Sequence, residues 1–122
     1  MLFNENLSIL ASESAIAIDF YLNGGATQKD HDVVERFSAR IDKISKSRLN
    51  VFEELLVAEI IWPDHNNWKD KKRDEVYLHA NLLAKNLRYF TDYSRIEQEK
   101  LRDLCIEISS ISRNELYRSQ KS

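Results

Sequence analysis

Two pairs at helical spacing offer the first chemistry, His31-Asp-Val-Val-Glu35 and Glu75-Val-Tyr-Leu-His79. Each sets an imidazole and a carboxylate four residues apart, which on a helix puts both on one face and could give a metal ion a nitrogen and an oxygen ligand. A di-iron bundle site asks for more: Glu-x-x-His at a spacing of three from two helices, plus two inward glutamates. That spacing is absent, and antiparallel flanking helices would hold the two pairs far apart, so no metal site is expected. No cofactor is expected either. Gly24-Gly25 runs on into Ala-Thr-Gln-Lys rather than Gly-Lys-Ser, with no strand before it, so a phosphate-cradling loop is missing. A serine or cysteine nucleophile needs a convergent histidine and acid, and the three histidines fall at helix starts or in polar stretches.

The sharpest catalytic candidate is Arg73-Asp-Glu-Val-Tyr-Leu-His79. This run resembles the motif of HEPN ribonucleases, an arginine, a polar residue, four variable residues and a histidine. The resemblance implies a small helical bundle that dimerises to bring two such motifs together. Arg73 would bind the scissile phosphate, and His79 would act as general acid or base in metal-independent RNA cleavage. The competing reading is structural: Arg73 answers Glu54 or Asp70 on the surface, and His79 is a solvated helix residue.

Other features bind rather than react. Arg36, Arg40 and Lys43 share one stripe, with Lys46 and Arg48 nearby and only Asp42 to offset them. Such a stripe suits a phosphate backbone or an acidic protein surface, including the first helix of another copy. The segment Trp62-Pro-Asp-His65-Asn-Asn-Trp68 brackets a turn with two tryptophans, a residue enriched at binding hot spots because it covers much area with few rotatable bonds. Trp62 also ends an apolar seam, and Trp68 could close over it as a hydrophobic clasp.

The elements that carry these residues follow from the breakers. Among 122 residues there are two glycines and one proline, too few for the turns of an all-β fold but suited to long helices, whose interiors exclude both. One domain is expected over residues 1–122. Asn23-Gly24-Gly25 ends a first helix that begins near Asn4 or Asn6. Thr27 caps a second, and Pro63 ends it. Phe37, Ile41, Ile44, Arg48, Val51, Leu55, Ala58 and Trp62 keep heptad spacing along that helix, which predicts one continuous rod of ~52 Å at 1.5 Å per residue; the alternative is a kink within Ser45–Asn50, where Ser and Asn compete for backbone hydrogen bonds. A third helix follows Asn67 and runs to about Phe90, its seam being Val76, Ala80, Leu83, Leu87 and Phe90. Ser94-Arg-Ile-Glu97 is a capping box opening the fourth.

The expected fold is all-α, an antiparallel four-helix bundle, with five helices if the second breaks near Ser47. Net charge is −2, but residues 1–25 hold Glu5, Glu13 and Asp19 and no Lys or Arg. The first helix is apolar around most of its circumference, which wants burial on more than one side. Leu10, Ile16 and Ile18 are accordingly candidates for a subunit interface. The lone Cys105 sits on an apolar face, as an inert core thiol in a reducing cytoplasm would. The start has no basic region of a signal peptide, and no stretch reads as a membrane span. These features favour a small non-enzymatic interaction module: an adaptor, inhibitor, immunity or antitoxin-like accessory protein that works through helical faces as a homodimer. A protein partner is expected, with nucleic acid the alternative for the basic stripe.

Overall fold

Local capping chemistry opens most of the helices in the structure, a computed structural model that describes residues 6–59 and 76–121, with side chains described over 6–57 and 76–113. The first helix, α1 (Leu7–Asn23), opens where the Asn6 side chain accepts the Ile9 N–H at 2.8 Å. It closes as Gly24 N–H bonds to the Phe20 carbonyl and Gly25 swings to φ +88°, a conformation glycine adopts without a steric penalty. Helix α2 (Gln28–Lys46) starts at Thr27, whose hydroxyl accepts the Asp30 N–H.

Here the continuous rod fails. Ser45 and Ser47 turn their hydroxyls back onto the carbonyls of Ile41 and Ile44, both at 2.7 Å, and α2 stops. Asn50 then opens a separate helix, α3 (Val51–Glu59), through a reciprocal box in which its side chain accepts the Glu53 N–H and Glu53 accepts the Asn50 N–H. The bundle is therefore the five-helix form. The heptad seam ends with the helix: Ile41 is buried, whereas Val51 and Leu55 are exposed. Reoriented α3 packs instead through Val57, which with Leu49 meets Leu78 and Leu82.

Helix α4 (Val76–Leu87) gives way to a single 3-10 turn at Phe90–Asp92. Helix α5 (Arg95–Lys121) begins with the expected box: Ser94 accepts the Glu97 N–H, and Glu97 accepts the Ser94 N–H. All five helices join in one bundle, and no strand occurs among the described residues. Helix α1 packs on α2 and α5, while α4 packs on α2, α3 and α5. The α1–α5 pair runs in opposite directions, because Ser8 meets Ser109, Asp19 meets Arg102 and the Leu22 carbonyl meets Arg95. The α2–α4 pair does the same, with Ser38 bonded to the Ala84 carbonyl and Asn81 to Ser45.

The core lies between these four long helices. Leu10, Ile18, Val34, Ile41, Leu83, Leu87, Phe90, Leu101 and Ile108 are all fully buried, each contributing roughly 1.5–3 kcal/mol by leaving water. Tyr21 meets Phe90 edge-on at 5.0 Å. Cys105 is buried as expected, and burial pushes its thiol pKa well above the ordinary range. Among the described residues no helix is long and apolar enough to cross a membrane.

Candidate functional site

Among the described residues, those with catalytic potential do not converge on one site. His79 is 2% exposed, held inside because α4 is covered by α2, α3 and α5. It is thus neither the solvated residue of the structural reading nor the accessible acid or base that the HEPN resemblance implies, since such a group must come within hydrogen-bond reach of its substrate. Arg73 and Glu75 lie outside the described residues, as do Trp62, His65 and Trp68 of the turn. His31, Asp32 and Glu35 gather donor atoms within 4.8 Å of one another on one exposed side of α2. Gln28 engages two of them, donating to Asp32 at 2.9 Å and meeting His31 Nδ1 at 3.1 Å. An open turn of hydrated side chains is an ordinary helix surface.

The outward face of α1 is built differently. Its core-facing side holds Leu7, Leu10, Ala11, Ile18 and their neighbours. Leu10 and Ile18, expected at a subunit interface, are 0% exposed and belong to the core; an apolar circumference does not say which part of it turns inward. Of the three expected interface residues, Ile16 alone faces water, at 53% exposure. Ile9 (48%) and Phe20 (65%) join it. These two were missed as interface residues, although their spacing from Ile16, seven before and four after, marks a single helical face. A shallow groove of about 320 Å³ runs beside Ile16 and Phe20 toward Asn23 and Gly24.

One edge of this apolar face is pinned by charge. Arg102 of α5 donates to Asp19 at 2.9 Å, and that hydrogen bond is the main reason its guanidinium pKa is raised. The pair is partly exposed, so it orients α1 on α5 more than it stabilises the fold. Ile106 on α5 is a further half-exposed apolar side chain.

The basic stripe is present as expected. Arg36, Arg40 and Lys43 all point outward from α2, and the Arg40 guanidinium lies 5.4 Å from the centre of the Phe37 ring. That stacking is worth ~0.5–1 kcal/mol at an exposed site and holds the cation close to an apolar edge.

A cleft of about 700 Å³ opens between α2, α3 and α4, a feature with no sequence signal because its walls come from three helices. Charges of both signs line it, among them Glu35, Asp42, Lys46, Lys85 and Arg88. Asn81 forms its floor, donating to Asp42 at 3.1 Å and to Ser45 at 2.9 Å, and Lys46 closes on Asp42 at 3.4 Å. These bonds tie α4 to α2, and no nucleophile with a paired base stands among them. No family model matches the chain, and neither a curated protein nor a solved structure does.

Proposed function

We propose that this protein is a small non-enzymatic interaction module, of the adaptor, inhibitor, immunity or antitoxin-like accessory kind, which acts through helical faces as a homodimer. The observation that carries this reading is the outward face of α1, where Ile9, Ile16 and Phe20 lie in water on a helix whose other side is already sealed into the core. Large apolar side chains gathered on one face gain by being covered, and such faces mark association sites. The buried His79 supports the same reading from the other direction, since it removes the accessible group that the ribonuclease alternative requires.

The test is mass in solution. Light scattering on the wild-type chain at tens of micromolar should give a dimer, and Ile16→Glu, which places a charge mid-face without touching the core, should give a folded monomer by circular dichroism. A wild-type monomer at that concentration would remove the homodimer. Metal-independent cleavage of RNA that disappears in His79→Gln would return the enzyme reading.

A further inference from the structure

We infer that the occupant of this surface is a second copy of the chain, placed by a two-fold axis that lays α1 of each copy over α2 of the other. The inference rests on the association reading above and adds which helix meets which. Charge decides it. Helix α1 carries Glu13 and Asp19 and no Lys or Arg. Asp19 is engaged by Arg102, whereas Glu13 is exposed and has no ion pair among the described residues. Helix α2 turns Arg36, Arg40 and Lys43 outward. Laying α1 on its own copy would oppose acid to acid with no cation on either helix, and laying the Arg36, Arg40 and Lys43 stripe of α2 on its copy would oppose cation to cation, although the same helix also exposes Asp32 and Glu35. The crossed arrangement is attractive in both layers, and like-charge juxtaposition disfavours the others.

The two faces are continuous within one copy. On α1, Ser8 and Asp19 mark the edge toward α5 by their bonds to Ser109 and Arg102. Helical rotation then puts Ile9 and Ile16 in the middle of the exposed arc and Glu13 and Phe20 at the edge toward α2. On α2, Ser38 and Asp42 mark the edge toward α4 by their bonds to Ala84 and Asn81. Rotation puts Arg36 mid-arc, and Arg40 with its Phe37 ring at the edge toward α1. The combined surface is about 25 Å long and two helix diameters wide, roughly 500 Å² in projection. That is of the order of the ~800 Å² of accessible surface each partner contributes to a stable interface. A two-fold operation uses the same face on both copies and closes on itself, so the assembly stops at two.

Sedimentation velocity on the full chain tests the crossing. The wild-type dimer should weaken roughly tenfold between about 50 mM and about 500 mM sodium chloride, as screening shortens the reach of the crossed charges. Glu13→Lys should weaken it about as much by facing the partner's cations, and so should Arg36→Glu combined with Lys43→Glu by facing the partner's acid. Mixing those two weakened variants should restore a heterodimer at least tenfold tighter than either alone, because each reversed helix then meets its complement. A mixture no tighter than its components overturns the crossed pairing, as does a dimer indifferent to salt or tightened by Glu13→Lys. If Ile16→Glu still yields a monomer in those cases, the association reading stands while the crossing falls. A monomeric wild type removes both.

Discussion

Helices α1 and α4 are both strongly apolar, yet the bundle treats them in opposite ways. Ten of the twelve residues of α4 are buried, including His79, Asn81 and Asn86, whereas eight of the seventeen in α1 are, and Ile9, Ile16 and Phe20 stay in water. The difference follows from neighbours rather than composition, since α4 is packed by three helices and α1 by two. The two buried amides of α4 are tolerated because they are bonded. Asn81 reaches Asp42 and Ser45, while Asn86 donates to the Leu82 carbonyl at 2.7 Å and accepts from the Tyr93 hydroxyl. The exposed isoleucines of α1 have no comparable compensation within one chain. Polar residues inside α4 thus tie helices together, and apolar residues on the outside of α1 stay in water.

The contrast can be broken at its strongest point first. Leu83→Ala on α4, at a site with no exposure, should cost ~2–5 kcal/mol in urea unfolding. Ile16→Ala, measured where the chain is dilute enough to be monomeric, should change stability by less than about 0.5 kcal/mol. Equal losses at the two sites would erase the distinction. A smaller effect is expected from Asn81→Ala, which strips Asp42 and Ser45 of a donor at a site tying α2 to α4. The loss should be ~1–3 kcal/mol in the same assay, and a neutral outcome would mean those bonds are not what makes a polar residue acceptable there.

The mildest test uses pH. Burial raises the Cys105 thiol pKa in the folded chain, while the unfolded thiol ionises near 8.5. Above that pH the unfolded state releases a proton that the native state keeps, so stability should be level below about 8.5 and then fall by ~1.4 kcal/mol per unit from this group. Tyr93, also raised, mainly by burial, adds a fall that begins above about 10 and stops once its native-state pKa is passed. Stability curves for Cys105→Ala should lose the first decline and keep the second. An unchanged slope would show the thiol to be hydrated in the native state.

Much of the fold was legible because it rests on short-range chemistry. The Thr27 cap, the Ser94–Glu97 box, the Gly25 turn and the α4 seam each depend on residues three or four apart. The break after Lys46 was harder to read, since Val51 and Leu55 continue the heptad phase after the helix itself has stopped. The Asn50–Glu53 box was the available signal. Leu10, Ile18 and His79 were placed wrongly for one shared reason: periodicity shows that a face is apolar or polar but not how many neighbours a helix will have. Which apolar residues stay in water depends on that count, so Phe20 and Ile9 emerge only when α2 and α5 are in place. The Trp62–Trp68 turn and Arg73 lie outside the described residues.

Near the two ends of the described chain, Ser8 donates to the Ser109 carbonyl at 3.0 Å and Ser109 returns a bond to the Ser8 carbonyl at 2.9 Å, across a separation of 101 residues. This clasp means that α1 leaves the ribosome well before its principal packing partner, α5, has been made. Loop-closure entropy grows only slowly with length, so the delay lies in waiting for α5 to be made more than in the cost of bringing the ends together. Until α5 is made, the part of the inner face of α1 that α5 covers stays open together with the outer face, and only the side toward α2 can be packed. Completion of α5 reduces this to the single outward face, so the apolar surface left in water is what remains of a larger hazard during biogenesis.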